Sequence, residues 1–126
     1  MNSTHTVLYD PTDELPLDRE AHRDLIQAVL AWTAIPKPAA ADLQHIALQL
    51  TGAAQAVASD VRRTAARLPG DHPALALADV VLAEADRRLS VAPQATVRCV
   101  QNRARLVRAL YERLDRLTDV TLATSP

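Results

Sequence analysis

PAAADLQHIALQLTGAAQAVASDVRRTAARL, residues 38–68, decides the fold. It repeats Leu43, Ile46, Ala47, Leu50, Ala54, Val57, Val61, Thr64 and Leu68 in three-and-four spacing over four heptads. That period places them on one stripe of a single long helix and no other regular structure does so. Prolines bound it. All eight, Pro11, Pro16, Pro36, Pro38, Pro69, Pro73, Pro93 and Pro126, fall outside helical patterns. Proline is excluded from helix interiors and tolerated at helix starts, so these positions cut the chain into four helices.

The first helix spans about residues 17–34, with Asp18 and Glu20 in its first turn and Leu25, Val29 and Trp32, flanked by Ala21, Ile26 and Ala28, as its stripe. Pro69-Gly70 stops the second helix, and Asp71 or His72 caps the third. The seam of the third is Leu75, Ala78, Leu82, Ala85 and Leu89, broadened by Leu77 and Val81. The fourth starts at Pro93 or a few residues later and runs to about Thr118, burying Val97, Val100, Ala104, Val107, Leu110, Tyr111, Leu114 and Leu117. Alternating β-branched runs and hairpin turn pairs are missing, and there are only two glycines. The expected fold is all-α, an up-down-up-down antiparallel four-helix bundle with a short first helix. Its domain is residues 17–119, between an N-terminal extension, 1–16, and a C-terminal tail, 120–126.

A chain of 126 residues supports one self-sufficient core. Cys99 is the sole cysteine, which excludes an internal disulfide and a cysteine zinc cluster. The N-terminus has neither a basic start nor an apolar run, and no segment approaches the ~20 apolar residues of a membrane span, so the expected location is cytoplasmic, off the membrane. Net charge is −1, yet residues 1–86 hold 12 acids against 6 bases and residues 87–126 hold 3 against 8. The last helix is therefore basic. Arg98, Arg105, Arg113 and Arg116, flanked by Arg108, share one outward face of it, a stripe suited to a DNA-binding regulator. It lacks interleaved aromatics, so a solvated face is preferred and no nucleic-acid partner is expected.

Helix lengths predict a groove. At 1.5 Å per residue the first helix is about 25 Å long and the second about 45 Å, which leaves roughly 20 Å of seam uncovered. Folding the hairpins back places the gap along Val57, Asp60, Val61 and Thr64, facing Leu75, Asp79 and Leu82 and, on the fourth helix, Arg103, Val107 and Tyr111. Its expected occupants are the leading segment with Val7, Leu8 and Tyr9, a partner chain such as a second copy, or a small ligand. Arg103 breaks its local rule by lying within an apolar arc. A buried guanidinium must pair, snorkel or meet an anion, and Asp60 is the expected partner, with a carboxylate- or phosphate-binding role as the alternative. His22 and Trp32 sit on the apolar side of the first helix, as core or rim residues or as ligand contacts.

Dedicated chemistry is absent: there is no phosphate loop, no nucleophile elbow and no metal-spaced histidine pair, since His5, His45 and His72 fall on the leader, a solvent face and a joint. No metal or cofactor is expected. An enzyme would work from the groove, with Asp60 as base and Arg103 as anion clamp.

The stretch ARLPGDHPALALADVVLAEADRRL, residues 66–89, resembles the central signature of a family of small actinobacterial domains of unknown function whose members are labelled natural product biosynthesis proteins. LVRALYERLDRL, residues 106–117, is similar to that family's closing helix, where a Leu-Ala-Arg-x-Leu run leads to an Asp-His-Tyr cluster. Val107 replaces the run's alanine and Asp115 is retained, while Arg116 and Leu117 stand where the histidine and tyrosine would be. The resemblance covers roughly residues 20–120. It implies a helical accessory protein of secondary metabolism. Joined to the groove, it makes a non-catalytic binding protein the first expectation, with Asp60, Thr64, Arg103, Val107, Tyr111, Trp32 and His22 as the ligand- or partner-binding residues. A small helical enzyme acting on a biosynthetic intermediate is the second.

Overall fold

The computed structural model describes residues 17–32 and 39–124. Four helices follow in order: α1 (Arg19–Leu30), α2 (Ala40–Ala65), α3 (Ala74–Leu89) and α4 (Val97–Thr124). Among the described residues there is no strand. The fold is all-α, four helices packed as a bundle. The leading segment with Val7, Leu8 and Tyr9, and the joint containing Pro36 and Pro38, lie outside the described residues.

Helix ends follow local chemistry. Asp18 is the N-cap of α1, not a first-turn residue, and its carboxylate accepts from the Ala21 amide at 3.2 Å. At α3 the N-cap is Pro73, neither Asp71 nor His72, and has no side-chain cap, while His72 Nδ1 just before it accepts from the Ala74 amide at 3.1 Å. Thr96 Oγ1 accepts from the Cys99 amide at 3.0 Å, so α4 starts behind Thr96, three residues past Pro93. It then runs through Thr124, beyond the expected end at Thr118. Polar Thr118 and Thr121 read as a helix end in sequence. Instead, each returns its hydroxyl to a carbonyl one turn back, Leu114 and Thr118, and the helix continues.

The core is the seam between α2 and α4, the most extensive helix contact in the molecule. From α2 it takes Leu43, Ala47, Leu50, Ala54, Val57 and Val61; from α4, Val100, Ala104, Val107, Leu110 and Leu117, all buried. These are the residues the three-and-four spacing selects, and Ala53, Ala58 and Leu106 join them. Helix α3 rests on both long helices through Ala78 and Ala85, with Leu75, Leu82 and Leu89 partly buried. Leu77 does not broaden that seam: it is 55 % exposed, and Val80 beside it is 65 % exposed. Helix α1 packs chiefly on α4 through Ile26 and Val29, while Ala21 and Ala28 face solvent.

Length mismatch is larger than the proline spacing implies. Twelve residues make α1 about 18 Å long, against about 39 Å for α2 and about 42 Å for α4. The expected gap is nonetheless closed where it was placed, because Val57, Val61 and Val107 have no exposed surface. The two long helices meet directly along their whole stripes, and the short helix is laid against α4, not across a trench between α2 and α4.

Candidate functional site

Two cavities lie along α4, one against its middle and one at its start. The first lies between α1 and α4, has a volume of about 500 Å³, and is walled by Arg19, Arg23, Ile26, Leu30, Arg108 and Tyr111, with Glu112 and Asp115 at its rim. Contacts between the two helices run in opposite chain order: Arg19 meets Asp115, His22 meets Tyr111, and Gln101 reaches the carbonyls of Val29 and Trp32. Periodicity explains the alignment. Tyr111 and Asp115 are one turn apart on α4, as are Arg19 and His22 on α1.

At the centre of this pairing the Tyr111 hydroxyl meets His22 Nδ1. The rings stand 5.7 Å apart at 49°. The Arg19 guanidinium covers the Tyr111 ring at 4.5 Å from its centroid while its Nη2 donates to Asp115 at 2.6 Å. Burial holds the His22 imidazole below its ordinary value, against an opposing pull from Asp18. Burial likewise pushes the Tyr111 phenol up, the Arg19 charge opposing it. Both shifts favour the neutral forms, and the imidazole tautomer sets which of the two groups donates. The result is an apolar wall with an aromatic face, rimmed by charges of both signs.

The second cavity, about 460 Å³, lies at the α3–α4 joint between the end of α3 and the first turns of α4. Arg88, Arg98 and Arg103 line it together with Gln94, Thr96, Cys99 and Asn102, and no carboxylate does. Arg103 is only 6 % exposed. Its Nη2 donates to the Val91 carbonyl at 2.7 Å, while its Nη1 is buried with no acceptor. Arg88 is held by Glu84 one turn back on α3, at 2.6 Å. Cys99 Sγ accepts from the Gln94 amide at 3.2 Å and fastens the joint to the helix start.

The seven residues read from sequence are therefore divided. His22 and Tyr111 meet, as two residues on the apolar sides of their helices should. Trp32 is partly buried against the core just past the end of α1, and its carbonyl serves Gln101 at 3.3 Å. Val107 is wholly buried and lines neither of these cavities, and Thr64 is partly buried near the end of α2. Asp60 does not partner Arg103: it pairs with Arg63 one turn along its own helix. Arg103 instead donates to the Val91 carbonyl, two residues past the end of α3. The single groove along Asp60, Thr64, Arg103 and Tyr111 is replaced by two separate cavities, and the base-and-clamp pair of the enzyme reading is not assembled. Arg98, Arg88 and Arg19 were passed over as site residues. For Arg98 and Arg88 the usable signal was their nearness in sequence to the joint at Pro93; for Arg19 it was the i to i+3 spacing with His22.

Among the described residues no group of three or more His, Cys, Asp or Glu side chains is placed to hold a metal ion. No helix among them is long and apolar enough to cross a membrane. Of the outward arginines of α4, Arg98, Arg105, Arg108 and Arg116 are exposed, whereas Arg113 is half-buried with its Nε lacking an acceptor.

Residues 20–119 match the model of the family of unknown function DUF6415, and the chain belongs to that family. The match spans all four helices up to the last turn of α4. No curated protein and no solved structure matches the chain.

Proposed function

We propose that the chain is a non-catalytic accessory protein of natural product biosynthesis, cytoplasmic in location, that holds a small molecule or a partner protein between its helices. The observation that carries the binding role is the α1–α4 cavity: its volume of about 500 Å³ lies within the 300–1,000 Å³ range of small-molecule pockets. Its walls combine buried Ile26 and half-buried Leu30 and Tyr111 with Arg19, Arg23 and Arg108. Such a surface suits an amphipathic organic molecule, apolar body inward and polar groups at the arginine rim. The link to secondary metabolism rests on the resemblance carried by residues 66–89 and 106–117. Asp60 is paired with Arg63 and Arg103 with the Val91 carbonyl, which weighs against the enzyme alternative of a base and an anion clamp acting together.

A thermal-shift screen of the full chain against biosynthetic intermediates tests this reading. A ligand of this cavity raises the melting temperature of the wild type, and that rise is lost in Tyr111→Ala. Equal shifts in wild type and Tyr111→Ala place binding elsewhere and overturn the assignment.

A further inference from the structure

The joint cavity lies at the start of α4, apart from the α1–α4 cavity at the middle of that helix, and what it binds does not depend on the reading above. Its defining feature is a charge without an answer. Arg103 is a buried guanidinium. The Val91 carbonyl satisfies Nη2 alone. Nη1 keeps two N–H donors with no acceptor, in a position removed from water. Leaving donors of a charged group unmade is among the costlier faults a folded chain carries, and native structures avoid it unless something else fills the place.

Three further observations point the same way. The cavity has Arg98 beside Arg103 on its walls and no acidic side chain lining it, while Arg88, also on the wall, is paired with Glu84. It opens beside the start of a helix of 28 residues, whose first-turn amides carry the positive end of the dipole. Of those amides, Cys99 is taken by Thr96 Oγ1 and Val100 by the Thr96 carbonyl, which leaves the Val97 and Arg98 N–H groups without acceptors among the described residues. Finally, Thr96 and Asn102 add neutral hydrogen-bonding groups to the same walls.

We propose that the cavity at the α3–α4 joint is an oxyanion site: it binds a small molecule through a phosphate or carboxylate group, with Arg103 Nη1 as the buried anchor and Arg98 with the α4 amides completing the shell. An oxyanion supplies what the site lacks, several acceptor lone pairs and a negative charge in one compact group. The volume, about 460 Å³, leaves room for an organic body behind it. A purely structural Arg103, bracing the end of α3, accounts for Nη2 and not for Nη1 or the one-signed wall.

The test is a titration of the ¹⁵N-labelled full chain with sodium phosphate and, separately, sodium acetate, each at constant ionic strength held with sodium chloride, followed by amide NMR. Saturable shifts at Val97, Arg98 and Cys99 are expected, and the anion that saturates at lower concentration tells a phosphate-bearing ligand from a carboxylate. Removing one charged donor in Arg98→Gln weakens binding roughly tenfold or more. Arg116→Gln, exposed and far along the same helix, leaves it unchanged. Arg103→Lys keeps the charge but loses the planar fork, and binding falls with it; should that variant not fold, the Arg98→Gln comparison decides alone. Two results overturn the proposal: no saturable shift with either anion, or titration curves in Arg98→Gln that match the wild type.

Discussion

Two side chains set the polar character of this molecule, Tyr111 and Arg103, and each is half-explained by its own helix. Tyr111 belongs to the apolar stripe of α4 by spacing, yet its hydroxyl needs a partner and takes His22. This pairing fixes a pH response. Because burial holds the His22 imidazole below the ordinary value near 6.5, the folded protein takes up that proton less readily than the unfolded chain does. Above about pH 7 both states are neutral and the group contributes no slope. As pH falls through 6.5 toward the lowered folded value, the unfolded chain gains the proton first and stability declines. Thermal melts between pH 8 and pH 5 are expected to show this decline in the wild type and a flatter profile in His22→Gln; parallel profiles would remove His22 as its source. Arg103 was legible as an anomaly because it interrupts an apolar arc. Its partner was not, since a carbonyl twelve residues earlier leaves no mark in side-chain spacing.

At the scale of helices, the strongest periodicity produced the most reliable reading. The α2 stripe from Leu43 to Val61 and the α4 stripe from Val100 to Leu117 became the core because each aliphatic side chain recurs on one face, and that face has an equally long partner. Truncating within this seam leaves a cavity that neighbours on two helices cannot fill, so Leu110→Ala should cost about 2–5 kcal/mol in a denaturant melt. Val80→Ser, on the exposed face of α3, should stay within about 0.5 kcal/mol of wild type. Comparable losses at the two positions would mean that the outer face of α3 is packed against something. Helix α3 was the least legible element for a physical reason. It is apolar nearly all round, with Leu75, Leu77, Val80, Val81 and Leu82 in one run, so composition does not say which arc turns inward. Small residues decide it: Ala78 and Ala85 take the closest approach, and Leu77 is turned out.

Across the whole molecule, unequal helix lengths were the right clue to a cavity and the wrong guide to its place. A short α1 does leave surface unshared, but the two long helices close on each other first, because pairing their full stripes buries the most apolar area. Cavities are left on the flank where α1 lies on α4 and at the joint where α3 hands over to α4. Neither position follows from helix count or order. Both depend on how the helices are rotated, which in turn depends on which alanines allow close contact. The two cavities differ in character, with an amphipathic one against the middle of α4 and an arginine-lined one at its start.

The claim that this bundle is a binding protein is tested most directly by native mass spectrometry of the full chain purified under mild conditions, reporting subunit count and any retained small molecule together. The account predicts a small organic molecule, or a defined partner chain, retained by the wild type and lost from Tyr111→Ala. A wild type that flies as a bare monomer, with a mass equal to that of its sequence alone and unchanged by added biosynthetic intermediates, would contradict it.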